Sequence, residues 1–228
     1  MSILLFILTL LSMSSNSLSI NIIDRYTLSN QVVNDMVEDE DGYIWIGTRR
    51  GLNRFNGSTY KYYCHTDSLS IPNDFISVLC KDTDGRLWIG TTVGINLVRK
   101  SMVVPEVDVK CGHVSSISVL DDEYLLVMSI NGLYRFNKNN KSISLVFQDN
   151  TSFGEAIIAG NGNIWIYDKF RSYVNILDKE YNLIKVLKLH DSKIKSVCTD
   201  NEGNVYLGCN DGLKYFSPDG TSITLSKE

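Results

Sequence analysis

The chain has 228 residues and a net charge of −4, from 22 basic and 26 acidic side chains. This length suits one sizeable core or two small ones, and an apolar fraction of 43% excludes an intrinsically disordered chain. Nucleic acid is excluded as a partner on charge, because neutralising phosphates requires an excess of Lys and Arg. An aromatic content of 10% favours strands over helices.

The first segment differs in character from the rest. Residues 3–13 form an uncharged apolar run, and a Ser-rich stretch follows to residue 19. The run suits the apolar region of a secretory signal and is shorter than the roughly 20 residues of a membrane span. We predict a signal peptide over 1–19 and a leader strand over 20–33. A buried first strand or helix is the alternative, because no Lys or Arg precedes the run.

A pattern of about 40 residues then recurs five times. Each copy has an apolar run, a polar turn that usually contains Gly, an aromatic strand and a second apolar run. The central position of the pattern is occupied by Trp45, Trp88, Leu126, Trp165 and Tyr206. We place the five repeats at about 34–74, 75–114, 115–153, 154–192 and 193–228.

Each repeat reads as four short antiparallel strands. Asp41-Gly42 is a hairpin turn signal, since Gly supplies the positive φ that the turn needs. The inner strand Leu87-Trp88-Ile89 is apolar at consecutive positions, which is typical of a strand buried on both faces. These features predict an all-β fold, a β-propeller of five four-stranded antiparallel blades. A β-solenoid is the competing fold, but the hairpin turns argue against it.

The repeat resembles a known family, the two-component regulator propeller repeat. The resemblance rests on an Asp-x-Asp-Gly turn followed by a Trp, a Gly-Thr pair, a Gly and an Asn. In the first copy these residues are Asp39, Asp41, Gly42, Trp45, Gly47, Thr48, Gly51 and Asn53. In the second copy they are Asp82, Asp84, Gly85, Trp88, Gly90, Thr91, Gly94 and Asn96.

The resemblance implies a function and a context. Its members are periplasmic input domains of hybrid regulators in gut Bacteroidetes, which typically respond to oligosaccharides. It implies that the five repeats are an incomplete arc of a seven-bladed propeller. The expected partners are an oligosaccharide and either the remaining sensor and propeller domains or another protomer. A membrane would be reached only through downstream segments. Ligand capture would depend on further parts, so we expect the chain alone to bind a carbohydrate weakly or not at all.

We expect no catalysis, cofactor or metal in this chain. None of the three histidines has the family's phosphoacceptor pattern, and no nucleophile–base pair is visible. The five cysteines lack C-x-x-C spacing, which leaves a zinc site unsupported; we expect Cys80 and Cys198 to be buried on strands. The acidic turn at 38–42 suggests a calcium loop, but Arg49 occupies the twelfth position that calcium requires to be Glu.

The three Trp residues admit two interpretations, sugar-stacking platforms or interblade core, and their place inside the repeat favours core. Because strands within a blade alternate in direction, the second turn of each repeat and the link between repeats should share one face. Departures from a repeat consensus are where function is normally found. By spacing, Arg171 replaces the Gly that the other repeats have six residues after the central position. The candidate ligand-binding residues on that face are Arg49, Arg50, Asn73, Lys169 and Arg171.

Three classes of function remain open from the sequence. The first is the ligand-sensing propeller of a hybrid two-component regulator. The second is a secreted propeller that acts as a scaffold or interaction module. The third is a glycan-active hydrolase or lyase built on a propeller.

Overall fold

The described part of the chain is built from strands alone. The computed structural model describes residues 28–66, 71–99, 102–104, 111–148, 154–168, 170–190 and 192–222. These residues form nineteen strands, and none of them belongs to a helix that could cross a membrane. The prediction of an all-β fold is therefore confirmed.

The strands form five antiparallel sheets that follow one another in chain order. The first sheet contains β1 (Val33–Glu38), β2 (Ile44–Thr48), β3 (Gly51–Phe55) and β4 (Tyr60–Tyr63). The second contains β5 (Ile76–Lys81), β6 (Leu87–Thr91), β7 (Ile95–Arg99) and β8 (Met102–Val104). The third contains β9 (Val114–Val119), β10 (Tyr124–Ser129), β11 (Gly132–Asn137) and β12 (Ile143–Phe147). The fourth contains β13 (Gly154–Ile158), β14 (Ile164–Asp168), β15 (Tyr173–Leu177) and β16 (Leu183–Lys188). The fifth contains β17 (Ile194–Thr199), β18 (Val205–Cys209) and β19 (Gly212–Phe216).

The second strand of each sheet explains the consecutive apolar residues of the repeat. Every residue of β6 and of β14 is buried, so both faces of these strands are covered. A strand that alternated apolar and polar residues would place polar groups between two sheets without partners. The consecutive apolar residues at 87–89 and 164–167 thus follow from their position inside the stack.

The sheets stack face to face, each against the next in sequence. Trp45 and Leu52 of the first sheet pack against Leu79 and Ile89 of the second. Equivalent apolar clusters join the second sheet to the third, the third to the fourth and the fourth to the fifth. Each sheet therefore buries the face that carries its central aromatic position under the following sheet, which is the arrangement of propeller blades.

The three Trp side chains are core residues. Trp45 is 1% exposed, and Trp88 and Trp165 are 0% exposed. The Trp88 ring meets Phe136 of the next sheet edge-on, with ring centroids 5.3 Å apart. The Trp165 ring lies tilted against Phe216 of its next sheet, with centroids 5.7 Å apart. The interpretation of these rings as interblade core is confirmed, and they are not available as stacking platforms for a sugar.

The fifth sheet shows what the stacking achieves, because nothing described covers its outer face. One position of the third strand can be compared in all five sheets. Its residue pairs with the residue that lies two places after the central position of the repeat, as Leu52 pairs with Gly47 after Trp45. It is buried at 0% exposure in the first four sheets and 62% exposed in the fifth. The residues at this position are Leu52, Ile95, Leu133, Val174 and Leu213.

The first sheet is uncovered on its opposite face. Met36 of β1 is 61% exposed, whereas Leu79 and Ile117, at the same place in the next two sheets, are 7% and 8% exposed. Ser29 covers part of this face, since its backbone N–H donates to the Asn53 side chain at 2.9 Å. The two ends of the stack thus present the two kinds of surface that meet between neighbouring sheets.

Several sequence predictions fall at the edges of the described residues. The signal peptide over 1–19 and residues 20–27 of the leader lie outside them, and β1 begins at Val33 within the predicted leader. The fourth strand predicted for the fifth repeat, from Thr221 to Leu225, also extends beyond them, and only a single bridge from Phe216 to Ser222 is described. The burial predicted for two cysteines is not met: Cys80 is half-buried, and Cys198 is exposed because it lies on the uncovered face.

Trp88→Ala should strongly destabilise the chain. The ring is fully buried between two sheets, and removing a buried aromatic costs about 3–5 kcal/mol through lost transfer energy and the cavity left behind. Urea unfolding followed by far-ultraviolet circular dichroism measures the difference in the free energy of unfolding between the variant and the wild type. A change below about 1 kcal/mol together with lost glycan binding would reassign Trp88 as a ligand contact.

A matched pair of substitutions tests the uncovered face. Leu133→Ala should lower the free energy of unfolding by about 2–5 kcal/mol, as for other buried Leu residues. Leu213→Ala, at the equivalent position of the fifth sheet, should change it by about 0.5 kcal/mol or less, since exposed sites rarely contribute more. Chemical unfolding at low protein concentration compares the two, and equal losses would show that the face of the fifth sheet is covered in solution.

Candidate ligand-binding face

The second turns of the sheets and the links between sheets lie on one face. The backbone N–H of Gly51, in the turn between β2 and β3, donates to the carbonyl of Asp74 in the following link at 2.7 Å. In the third and fifth sheets, Ile130 donates to His113 at 3.1 Å and Asn210 donates to Lys193 at 3.0 Å. The topological prediction is confirmed, and the first turns of the sheets are therefore at the opposite end of the strands.

The opposite face carries the Asp-Gly turns, and its chemistry is structural. One carboxylate oxygen of Asp39 accepts the backbone N–H groups of Asp41 and Tyr43 at 3.0 and 2.9 Å. The other oxygen accepts the indole N–H of Trp45 at 2.7 Å. The first Asp of the motif thus closes the turn and satisfies the buried Trp, and among the described residues no cluster of acidic, His or Cys groups could hold a metal ion.

In the fourth and fifth sheets the side chain at the central position also has a hydrogen-bond acceptor, but the pair of residues differs. The hydroxyl of Tyr206 donates to Asp200 at 3.2 Å, so a Tyr replaces the Trp with its acceptor retained. In the fourth sheet Ala159 stands where the Asp would be, and the indole N–H of Trp165 donates to the carbonyl of Pro218 from the fifth sheet at 3.2 Å. A buried indole needs an acceptor, and where the turn does not supply one, the neighbouring sheet does.

Asp82 is the most deeply embedded of these carboxylates. Besides the indole of Trp88 at 2.8 Å it accepts the Arg86 Nε–H at 2.8 Å, and the Lys138 Nζ of the third sheet lies 3.8 Å away, with both side chains fully buried. Burial by itself raises the pKa of Asp82, but the hydrogen bonds from Trp88 and Arg86 outweigh burial and hold the pKa below its ordinary value. This carboxylate therefore links two sheets as an ion.

The residues that the sequence singled out fall into two places on the link face. Arg49 and Arg50 are exposed in the turn between β2 and β3. Asn73 is half-buried in the adjacent link, where its side-chain oxygen accepts the Phe75 N–H at 2.8 Å. The Gly51–Asp74 hydrogen bond brings this turn and this link together, whereas Arg171 belongs to the fourth sheet and Lys169 lies outside the described residues.

Arg171 does not replace a turn Gly, contrary to the alignment by spacing. In the first sheet Gly47 pairs with Leu52, which leaves four residues between the partners. In the fourth sheet Tyr167 pairs with Val174, which leaves six. The loop of the fourth sheet is two residues longer, so Arg171 lies in an enlarged loop that has no need for the positive φ of 126° found at Gly51.

The enlarged loop borders an open groove on the fourth sheet. The groove has a volume of about 470 Å³ and is lined by Ser172, Tyr173, Asn175, Val186 and Lys188. Tyr173 and Asn175 come from β15, and Val186 and Lys188 pair with them from β16. All four side chains consequently point to the same face of the sheet.

Arg171 forms one margin of this groove through Tyr173. Its Nη1 donates to the Tyr173 hydroxyl at 2.9 Å, and its Nε lies 3.6 Å from a carboxylate oxygen of Asp168, whose side chain is 3% exposed. A buried carboxylate thus positions the guanidinium, and the guanidinium positions the phenol. Sequence reasoning found Arg171 but missed Tyr173, Asn175 and Lys188, because only the strand register reveals that they share a face with it.

Comparison with known proteins supports the propeller class first. The crystal structure described as the extracellular domain of a hybrid two-component system from B. thetaiotaomicron aligns with a TM-score of 0.74 and 19% identity, over 89% of this chain and 31% of that one. Virginiamycin B lyase from Staphylococcus aureus aligns with a TM-score of 0.65 and 12% identity, over 88% of this chain and 73% of that one. At these identities the likeness shows the fold, which is a β-propeller.

The sequence comparisons are more specific. Residues 27–50 and 70–92 match the family model described as two component regulator propeller. A segment of 46 residues is 48% identical to histidine kinase P4 of Formosa agariphila, and it spans 19% of this chain and 3% of that protein. The resemblance inferred from the Asp-Gly and Trp motif is confirmed for the first two copies: residues 27–50 and 70–92 are similar to the two-component regulator propeller repeat.

Asp82→Asn should destabilise the chain in a pH-dependent way. A depressed pKa in the folded state contributes stability that is fully present above the unfolded value of about 3.9 and is lost as pH falls through the folded value. At pH 7 we expect a loss of about 1–3 kcal/mol, because Lys138 and the Trp88 indole lose a charged acceptor. The gap between wild type and variant should narrow below pH 4.

The control for Asp82→Asn is Asp41→Asn, which alters an exposed carboxylate in the equivalent turn of the first sheet. Urea unfolding at pH 7, 5 and 3 compares the two variants with the wild type. A constant gap across this range would mean that Asp82 does not titrate with folding.

Proposed function

We propose that this chain is a ligand-sensing propeller of an exported hybrid two-component regulator and that its ligand is an oligosaccharide. The observation that carries the proposal is the two-component regulator propeller match over residues 27–50 and 70–92. The identity with a histidine kinase supports the signalling context. The chain spans 3% of that kinase and 31% of the extracellular domain that it resembles in fold, so the activity of the whole regulator is part of the proposal.

The exported location belongs to the same proposal. A structure similar in fold is described as an extracellular domain, and the uncharged run at residues 3–13 suits a secretory signal. A periplasmic chain of this kind would transmit the ligand signal to other domains of the regulator. The exposed faces around Met36 and Leu213 support contact with such domains or with another protomer, since both carry apolar side chains at 61% and 62% exposure.

The groove on the fourth sheet supports a saccharide as the ligand. Saccharide sites combine an aromatic ring with amide and hydroxyl groups, because sugar rings have apolar faces and hydroxyl edges. Tyr173, Asn175 and Ser172 provide this combination in one concavity of about 470 Å³, a size usual for small-molecule sites. The Trp residues, in contrast, are buried between sheets and are not candidates for this role.

A lyase is the second candidate, because virginiamycin B lyase shares the fold. Fold does not imply function, and the chemistry of the site decides between them. The described lining residues include no pair of acidic groups of the kind used by glycosidases, so the groove does not support a hydrolase. Turnover decides whether it is a lyase. A secreted scaffold would need no ligand in this groove at all.

The test is binding and turnover measured on the same samples. The 228-residue chain is heated with a panel of neutral and acidic oligosaccharides, and the mixtures are then separated by chromatography to detect cleaved products. At a ligand concentration about ten times Kd, binding should raise the free energy of unfolding by about 1.4 kcal/mol. The oligosaccharides should remain uncleaved.

Each outcome of this panel decides between the candidates. Stabilisation without cleavage supports a sensor, and cleavage of any member would support the lyase or hydrolase instead. Stabilisation by no member of the panel would contradict an oligosaccharide site within this chain and favour the scaffold. Heating the chain with glycerol at the same molarity of hydroxyl groups is the control for non-specific stabilisation.

A further inference from the structure

The groove beside Arg171 has a chemistry more specific than saccharide binding in general. We propose that it binds an anionic saccharide, one that carries carboxylate or sulfate groups on its sugar rings. This inference rests on the proposed function, since it names the class of oligosaccharide that the propeller would sense. The observations that carry it are the charges around the groove, the support of its aromatic ring and the local departure from the repeat.

The charge around the groove is positive in a protein of net negative charge. Among the described lining residues Lys188 is the one ionised group, and no carboxylate lines the groove with it. Arg171 adds a second cation at the margin through its contact with Tyr173. The Asp168 carboxylate that pairs with Arg171 is buried, with 3% side-chain exposure. The whole chain has a net charge of −4, so this local excess is unlike the average surface and favours an anion.

Tyr173 gives the groove its apolar surface in a fixed orientation. Its hydroxyl accepts a hydrogen bond from Arg171, and the Arg171 guanidinium carbon lies 5.9 Å from the centroid of the ring. Because Arg171 is itself held by the buried Asp168, the ring is supported by a chain of charged contacts. An aromatic surface fixed in this way can stack against a sugar ring with little loss of side-chain freedom on binding.

The polar groups of the groove match hydroxyl and anionic substituents at different depths. Asn175 lies at 7% exposure at the base, where a buried amide can exchange hydrogen bonds with sugar hydroxyls. Lys188 pairs with Tyr173 across the strands and is exposed at the opening. The ammonium group is therefore placed beside the ring, where it can meet an acidic substituent of a sugar that stacks on Tyr173.

The local sequence changes support a dedicated site at this sheet. The enlarged loop between β14 and β15 occurs in the fourth sheet and not in the first, where the turn has the length of the repeat. The longer loop is what gives Arg171 its place and moves Ser172 to the margin of the groove. Function in a repeat protein commonly lies where one repeat departs from the others.

The experiment is a titration of the 228-residue chain with matched sugars. Trigalacturonate, a sulfated galactose trimer and neutral galactotriose are titrated separately by isothermal calorimetry at 50 mM salt. We expect an acidic trimer to bind with Kd of about 0.1–1 mM, which is typical of a small groove, and at least about tenfold more tightly than the neutral trimer, a factor equal to one charged contact. Raising the salt to 500 mM should weaken acidic binding severalfold.

Two substitutions and one control locate the interaction. Lys188→Gln should weaken binding of the acidic trimer at least fivefold and leave neutral binding unchanged, which a purely structural role would not do. Arg171→Lys keeps the charge but loses the guanidinium geometry that holds Tyr173, so it should weaken both acidic and neutral binding. Lys179→Gln removes an exposed cation from the β15–β16 turn at the other end of the strands and should change nothing.

The separate titrations distinguish failure of the anionic specificity from failure of the proposed oligosaccharide ligand. Equal binding of the acidic and neutral trimers, or no effect of Lys188→Gln, would overturn the anionic specificity and leave the proposed sensor intact. Absence of binding by every trimer would contradict the proposed oligosaccharide ligand as well. Comparison of the carboxylated with the sulfated trimer identifies the anionic group, and binding of sodium sulfate or acetate alone with equal affinity would show an anion site that does not recognise sugar.

Discussion

The packing of this propeller depends on an acceptor for every buried indole N–H, which in the first two sheets is a turn Asp. The first Asp of the Asp-x-Asp-Gly turn accepts two backbone N–H groups with one oxygen and the indole N–H of a Trp with the other, as Asp82 does for Trp88. A Trp buried between two sheets is a large source of apolar burial, but its N–H needs an acceptor. The Asp meets that need while it closes the hairpin, so local turn chemistry and long-range packing depend on the same side chain.

The stacking of the sheets explains why burial differs so sharply at equivalent positions. Each sheet has two apolar faces, and a neighbouring sheet covers each of them except at the two ends of the stack. Leu133 is fully buried and Leu213 is 62% exposed although both hold the same place in their sheets. The same contrast separates Leu79 from Met36 at the other end. Burial in this fold is thus a property of the neighbouring sheet more than of the residue, and the end faces are surfaces suited to another sheet.

The candidate site lies in the fourth sheet, whose sequence departs from the repeat pattern. The fourth sheet replaces the turn Asp with Ala159 and satisfies Trp165 from the fifth sheet instead. It also enlarges the loop that carries Arg171. Once the turn no longer needs Gly, a long cationic side chain can occupy the loop and reach Tyr173. The repeated parts of the molecule supply rigidity, and the departures from the repeat supply a groove whose chemistry differs from that of the other sheets.

The sequence alone determined the fold class, because the spacing of Asp-Gly turns and Trp strands reports local chemistry: a turn needs its Gly, and a strand buried on both faces needs unbroken apolar residues. It also revealed the likeness of the first two copies to two-component regulator propeller repeats and the face on which loops and links meet. Only the tertiary structure decided the rest. Spacing placed Arg171 at a turn Gly, but the register of β14 and β15 shows a longer loop. Cys198 reads as a buried strand residue and is exposed, and Tyr173 and Lys188 become neighbours through strand pairing. Burial and side-chain convergence depend on which sheet lies opposite and which residues pair, and neither is encoded in a single repeat.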